Sequence, residues 1–158
     1  MTWGGSQDAA DGGLDVRVTL DSSTSAAPPI PRFSTGYQVK AEDMSRARIL
    51  AEMRPKGVVR DVIRDMAAQG GAYIIVSSKG SLTDVALTNR IQAMREAVQD
   101  IPHASSLHLE FFDRNRLATW VRDHAGMVLW VREKIGEPLR AGAPTIRGPS
   151  PKPRTRDF

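Results

Sequence analysis

The sequence predicts an α/β domain in which helices flank a mixed central sheet. Residues 14–20 (LDVRVTL) alternate apolar and polar side chains, which is typical of a half-buried strand. Ala72–Ser77 (AYIIVS) form a short apolar run rich in β-branched side chains, as in a central strand covered on both faces. Apolar side chains elsewhere recur at helical spacing, so crossover helices are expected to connect the later strands.

The first part of the chain predicts an antiparallel pair of strands. Residues 1–13 are polar and glycine-rich, which predicts a flexible segment. The strand at 14–20 is followed by a Ser/Ala/Pro-rich loop at 21–31 and a second strand at about 33–41. Because the two strands are consecutive, we expect them to pair as a hairpin with a long connection.

Helices and strands alternate in the rest of the predicted fold. The predicted helices are 45–53, 56–68, 81–98, 113–124 and 127–135, and the predicted strands are 72–77 and 107–112. Ser81 and Asp84 have the spacing of a capping box, and Asp113 can cap the helix after it. Gly126 is expected to separate the last two helices. Glycine and proline recur without periodicity after residue 141, so we expect a domain at 14–140 and a disordered basic tail at 141–158.

Composition and charge exclude several classes of protein. Hydrophobic residues make up 41% and charged residues 25% of the 158, so a wholly disordered chain is not expected. The sequence contains neither a secretory leader nor an apolar run long enough to span a membrane. It also lacks cysteine, which excludes disulfides, thiolate zinc sites and cysteine nucleophiles and fits a cytoplasmic protein. The tail supplies +3 of the formal net charge of +4, so the charge is a weak indication of a nucleic-acid partner.

Three polar residues on the first two strands form the candidate site. Asp15 is expected to point to the opposite face of the strand from Leu14 and Val16. Gln38 and Lys40 are two residues apart, so they project from one face of the second strand. If the strands pair as a hairpin, we expect Asp15, Gln38 and Lys40 to converge.

This combination suits the hydrolysis of a phosphodiester. A carboxylate such as that of Asp15 binds a hard divalent cation, either Mg²⁺ or Mn²⁺. The cation polarises a phosphoryl oxygen and lowers the pKa of a bound water. Lys40 can stabilise the developing negative charge or orient the water, and Gln38 can offer a neutral carbonyl ligand to the metal.

The motifs resemble those of a known nuclease superfamily. D-G-G-L-D at 11–15, then Q-V-K at 38–40, then a helix and a buried strand are similar to the PD-(D/E)xK nucleases, in particular to Mrr-like restriction endonucleases with Gln in the second motif. Residues 73–84 and 111–124 resemble endonuclease domains fused to STAND-type ATPases in antiphage defence. The resemblance covers roughly residues 11–139. It implies a restriction-endonuclease-like core, DNA as the substrate, Asp15 as the metal-binding acid and Lys40 as the catalytic lysine.

The sequence departs from that family before the first motif strand. Family members have a helix before the first motif strand, whose acid often helps to hold the metal in Gln-type variants. Only 14 residues precede Asp15 and the first glutamate is Glu42, so we expect a core without its N-terminal helix and a truncated copy or remnant. Asp11 is a weaker candidate for a second metal ligand beside two glycines.

Other polar residues give weaker signals. Ser77, Ser78 and Lys79 follow the central strand, where ligands gather at strand ends, so contact with DNA is an expectation there. The three histidines lack the spacing of metal ligands, and the chain contains no phosphate loop of an ATPase. Trp120 and Trp130 are expected in a core or an interface.

Three functional readings therefore remain. The first is a metal-dependent DNA endonuclease in restriction or antiphage defence. The second is the same fold without catalysis, as a module that binds DNA or a partner protein. The third is an oligomerisation domain of a larger ATPase-containing protein, with residues 113–135 as the interface.

Overall fold

The computed structural model describes residues 2–3, 13–21, 23–26 and 29–136. The strands are β1 (Thr2–Trp3), β2 (Val16–Thr19), β3 (Ser34–Lys40), β4 (Ala72–Ser77) and β5 (His108–Phe112). The helices are α1 (Arg46–Met53), α2 (Asp61–Ala68), α3 (Asp84–Val98), α4 (Arg114–Arg122) and α5 (Ala125–Lys134). This arrangement confirms the predicted α/β class with a mixed sheet flanked by helices.

The five strands form one sheet in the order β1-β2-β3-β4-β5. The pairs β1–β2 and β2–β3 are antiparallel, whereas β3–β4 and β4–β5 are parallel. The parallel pairs are joined through helices, because a parallel connection must return the chain to the starting end of the sheet. The predicted antiparallel pair followed by crossover helices is therefore observed.

The strand β1 is an addition to the predicted elements. Thr2 and Trp3 pair with Arg17 and Val16 of β2, inside the stretch 1–13 that was predicted to be flexible. A two-residue strand has too few side chains to show an alternating pattern, so no periodicity in the sequence indicates it. Of that stretch, the structure otherwise describes only Gly13.

The main core lies between the sheet and the helices α1, α2 and α3. All six residues of β4 are buried, which confirms the prediction of a strand covered on both faces. The largest side chains that are fully buried are Tyr73, Phe111, Met44, Ile49, Met53, Ile63, Met66, Ile74, Ile75 and Met94. Ile49 and Met53 on α1 and Ile63 and Met66 on α2 supply the apolar stripes that hold both helices in this layer.

The other face of the sheet carries α4 and a smaller cluster. Ile74, Val76 and Phe112 form this cluster, and Tyr37 and Leu117 pack against it. An apolar groove of about 290 Å³ continues across the face. The groove is lined by Val16, Val18, Pro29, Ile30, Tyr37, Val39, Val76, Phe112, Leu117 and Trp120. Trp120 is thus at the border of this groove, as expected for a core or interface residue.

Two local predictions were wrong. The helix predicted at 56–68 is divided: Pro55–Gly57 form a 3₁₀ turn with Lys56 at φ 55°, and α2 starts only at Asp61. Thr83, not Ser81, caps α3, and its hydroxyl accepts from the amide of Ala86. The apolar stripe of 59–66 continues across the turn because Val59 is also buried, which made the two pieces look like one helix.

The break between the last two helices also differs from the prediction. Gly126 lies inside α5, which begins at Ala125, and the break falls at Asp123 and His124. Asp113 caps α4 as predicted, accepting from the amide of Arg116 at 2.9 Å.

The chain divides into two compact units, at a point within the predicted domain 14–140. The first unit ends at Asp123 and contains the sheet, and the second begins at His124 and contains α5. In α5, Leu129 and Trp130 are exposed. No helix in the described ranges is long and apolar enough to cross a membrane. The predicted tail at 141–158 lies outside the described residues.

Candidate functional site

The register of β2 against β3 brings Asp15 and Gln38 opposite each other. Val16 pairs with Tyr37, so Asp15, which directly precedes β2, faces Gln38 of β3. The amide of Asp15 donates to the carbonyl of Tyr37 at 2.9 Å, which extends the pairing by one residue. Side chains at directly opposed positions share a face, so Asp15 and Gln38 are neighbours.

The Asp15 carboxylate is held by two donors from β3. Its Oδ2 accepts from Nε2 of Gln38 at 2.9 Å and from the main-chain amide of Val39 at 2.6 Å. Asp15 itself is exposed. The carboxylate is therefore fixed in direction and still open to solvent, as a group that binds a ligand requires.

Gln38 has one satisfied and one unsatisfied polar atom. Its residue exposure is 6%, and its Oε1 is buried without a hydrogen-bond partner among the described residues. A buried carbonyl oxygen without a partner costs about 1–3 kcal/mol. The amide oxygen can thus accept a hydrogen bond from a water, or it can itself be a ligand of a cation beside Asp15.

Lys40 lies on the same face but bonds to a residue of α1. Its ammonium is 2.8 Å from Oε2 of Glu52, and the two side chains are 23% and 17% exposed. The other oxygen of Glu52 is 2.9 Å from Nη2 of Arg60. The Lys40 amine is therefore in a mostly buried ion-pair chain, Lys40–Glu52–Arg60.

Arg60 also contacts the segment that leads into Asp15. Gly13 has φ +97°, a conformation that favours glycine. A Cβ at Gly13 would stand 2.5 Å from Cδ of Arg60. The absence of a side chain at Gly13 therefore lets the chain pass directly against the arginine.

Tyr73 places a buried phenol beneath these charges. Tyr73 lies on β4 and pairs with Gly36 of β3, so its ring is on the same side of the sheet as Gln38. Burial first, and then the negative charge of Glu52, raises the pKa of Tyr73, while Arg60 opposes the shift and Asp15 adds to it. Its hydroxyl has no hydrogen-bond partner within the described part of the chain. The phenol is consequently neutral at ordinary pH and close to all three charged groups.

The donor atoms of this site fit a hard divalent cation. The Asp15 carboxylate and the unsatisfied Oε1 of Gln38 are oxygen donors, the type that Mg²⁺ prefers. Two protein ligands are also what Mg²⁺ commonly takes, because it keeps several waters. Among the described residues, no group of three or more His, Asp or Glu side chains could hold a metal.

Ser77 at the end of β4 and the two residues after it lie near the site, but they differ in their exposure to solvent. Ser77 is 2% exposed, and its hydroxyl donates to the carbonyl of Glu42 at 2.7 Å. This hydroxyl is therefore used inside the protein. Ser78 and Lys79 are exposed, and the amide of Ser78 donates to the carbonyl of Lys40 at 3.0 Å. Asp11 lies outside the described residues.

Glu52 and Arg60 are the two residues of the site that the sequence analysis did not identify. Glu52 lies between Ile49 and Met53, which are both fully buried. An acid beside the buried stripe of an amphipathic helix is a signal that it has a partner, since carboxylates are seldom buried alone. Arg60 precedes α2, where no periodic pattern indicates its direction.

Comparisons of this chain with family models, curated proteins and solved structures give no match. The chemistry of the site therefore depends on its own geometry. A fixed carboxylate, an amide with an unsatisfied oxygen and an amine gather on one side of two paired strands, with a glutamate and an arginine behind the amine.

Proposed function

We propose that this chain is a metal-dependent DNA endonuclease of the restriction type, as the resemblance to PD-(D/E)xK nucleases implies. The observation that carries the proposal is the contact of Asp15 Oδ2 with Gln38 Nε2 at 2.9 Å, with Lys40 next on the same face. Antiphage defence and a larger ATPase-containing partner come from the resemblance alone.

Asp15 and Gln38 would hold the metal through a carboxylate oxygen and Oε1. Mg²⁺ or Mn²⁺ supplies Lewis-acid polarisation of the phosphoryl oxygen and a more acidic bound water. The amide of Val39 keeps Asp15 in place at 2.6 Å, so the carboxylate does not have to be ordered when the ligand arrives.

Lys40 would contact the phosphate on which charge develops. An ammonium group has three N–H donors, and Glu52 uses one of them at 2.8 Å. The other donors remain for a phosphoryl oxygen or for the attacking water. Stabilisation of that charge in the transition state, where it is greatest, is the contribution that raises the rate.

The test is plasmid nicking in the presence of Mg²⁺ or Mn²⁺. We expect wild type to cleave and Lys40→Ala to lose at least about a hundredfold in rate, the typical effect of one charge-stabilising donor. Lys134→Ala is the matched control, because Lys134 is exposed on α5. Equal, negligible cleavage by wild type and Lys40→Ala would contradict the proposal.

The second candidate is a module with this fold that binds DNA or a partner protein without cleaving it. The observation that favours it is the ion pair between Lys40 and Glu52, because that amine already has a carboxylate partner. DNA binding that does not need a metal and weakens with salt, without nicking, would select this candidate.

A further inference from the structure

In the ion-pair chain Lys40–Glu52–Arg60, the glutamate is the central residue. Both carboxylate oxygens of Glu52 are occupied, Oε2 by Lys40 at 2.8 Å and Oε1 by Arg60 at 2.9 Å. Nε of Arg60 also donates to the main-chain oxygen of Glu52 at 2.6 Å. Glu52 is therefore fixed on both its side chain and its backbone by one arginine.

A lysine needs such a partner if its amine is to act at a defined point. Its side chain has four rotatable bonds, and holding it in one conformation costs side-chain entropy. The side chains of Lys40, Glu52 and Arg60 are 23%, 17% and 28% exposed, so solvent screens these ion pairs less than pairs at an open surface. The contact with Glu52 can therefore restrict the amine.

The same arginine reaches the other half of the site. Arg60 Cδ lies 2.5 Å from the position that a Cβ of Gly13 would take, and Gly13 is two residues before Asp15. Arg60 thus contacts the segment that enters β2 and, through Glu52, the end of β3. One side chain from the α1–α2 connection therefore links the two strands that carry the site, directly at Gly13 and through Glu52 at Lys40.

We propose that Glu52 is the positioning residue for the Lys40 amine, and that Arg60 holds Glu52 in the conformation this requires. The inference rests on the proposed nuclease function for its kinetic consequence, but the positioning itself is measurable without cleavage. Glu52 acts through Lys40 and contacts no substrate.

The kinetic test compares Glu52→Gln with Asp100→Asn. Asp100 is paired with Arg54 at 2.7 Å, so its variant removes an ion pair of the same helical layer away from the site. We expect Glu52→Gln to lower kcat about 10- to 100-fold without raising KM for DNA, since a catalytic group displaced by about 1 Å loses up to about a hundredfold. We expect Asp100→Asn to leave kcat within about twofold of wild type. An unchanged kcat in Glu52→Gln would overturn the inference while wild-type cleavage still supports the nuclease.

The second readout is the NMR signal of the lysine ammonium protons. We expect wild type and Asp100→Asn to give a slowly exchanging Lys40 signal, which Glu52→Gln loses. Loss of that signal in a protein that does not cleave DNA would support the positioning and refute the nuclease. Absence of the signal in wild type, or its persistence in Glu52→Gln, would overturn the positioning.

Glu52→Asp keeps the test decisive if Glu52→Gln does not fold. Aspartate retains the charge but is one methylene shorter, so we expect an intermediate Lys40 signal and an intermediate kcat. A Glu52→Asp protein with the full wild-type signal and kcat would contradict a role that depends on the reach of the side chain.

Discussion

Gln38 shows how much the chemistry of the site depends on one residue. Its Nε2 satisfies Asp15, while its buried Oε1 has no partner in the described part of the structure. A glutamine gives a cation an oxygen ligand without adding a second negative charge beside Asp15. The site can thus keep the two side chains that we propose as metal ligands in contact before any metal arrives.

Gln38→Glu tests this balance of charge. Two carboxylates in contact repel each other, so we expect the free energy of unfolding to fall by about 1–3 kcal/mol in EDTA. Millimolar Mg²⁺ should recover much of this loss, because a ligand that binds only the folded state stabilises it. Urea unfolding with and without Mg²⁺ measures both effects. Gln38→Leu is the control, and an equal loss for Gln38→Glu in both conditions would contradict a cation site here.

The connection between α1 and α2 is the element that completes the site. The 3₁₀ turn Pro55–Gly57, with Lys56 in the left-handed region, redirects the chain before α2. Arg60 then points back to the last turn of α1, where it bonds Glu52. A continuous helix over 56–68, as the sequence predicted, would not include this turn.

Asp113 links the loop after β4 to the start of α4. Asp113 is 5% exposed, accepts from the amide of Arg116 as the cap of α4, and accepts from the amide of Leu82 at 2.8 Å. Its carboxylate therefore accepts from two main-chain amides that would otherwise lack a hydrogen-bond partner.

Asp113→Ala tests the link against an ordinary helix cap. We expect it to lower the free energy of unfolding by about 2–3 kcal/mol, about 1 for the cap and the rest for the unpaired amide of Leu82. Thr83→Ala removes a cap alone, since Thr83 accepts from Ala86, and should cost about 1 kcal/mol. Urea unfolding measures both variants. Equal losses would show that the bond to Leu82 contributes nothing.

At the scale of the whole molecule, the polar site and the apolar groove lie on opposite faces of the sheet. The side toward α1 and α2 carries Asp15, Gln38 and Lys40, while the side toward α4 has the apolar groove. Each tyrosine lies on a different side: Tyr73 beneath the charges and Tyr37 in the groove. Their ionisation therefore reports on both faces of the sheet.

The folded protein should lose stability at alkaline pH because of these tyrosines. Burial first, and then Glu110, raises the pKa of Tyr37 from 10.0 to about 12, and the pKa of Tyr73 is raised as well. Between pH 10 and about 12 the unfolded chain loses these protons while the folded one keeps them, so the free energy of unfolding falls as pH rises. Below pH 10 this contribution is fully present.

Phenolate absorbance measures the effect directly, since the chain has two tyrosines. We expect ionisation near pH 10 in urea and only above it in the folded protein. The free energy of unfolding should fall over this interval, because only the unfolded chain ionises there. A folded protein that is half ionised at pH 10 would contradict the burial of both phenols.

The sequence predicted most of the fold and half of the site. Alternation at 14–20 and the apolar run of β4 gave the strands, and the mixed order of the sheet followed from the elements between them. The two-residue strand Thr2–Trp3, the divided helix at 56–68 and the cap at Thr83 were not predicted. These are short or depend on dihedral angles, and neither property leaves a periodic pattern.

The sequence by itself determined which side chains share a face, because a strand repeats every two residues and a hairpin places consecutive strands together. Asp15, Gln38 and Lys40 follow from that local rule. Only the tertiary structure decided what the Lys40 amine bonds to. Glu52 and Arg60 reach it through helices packed on the sheet, and packing between distant segments has no fixed spacing in a sequence.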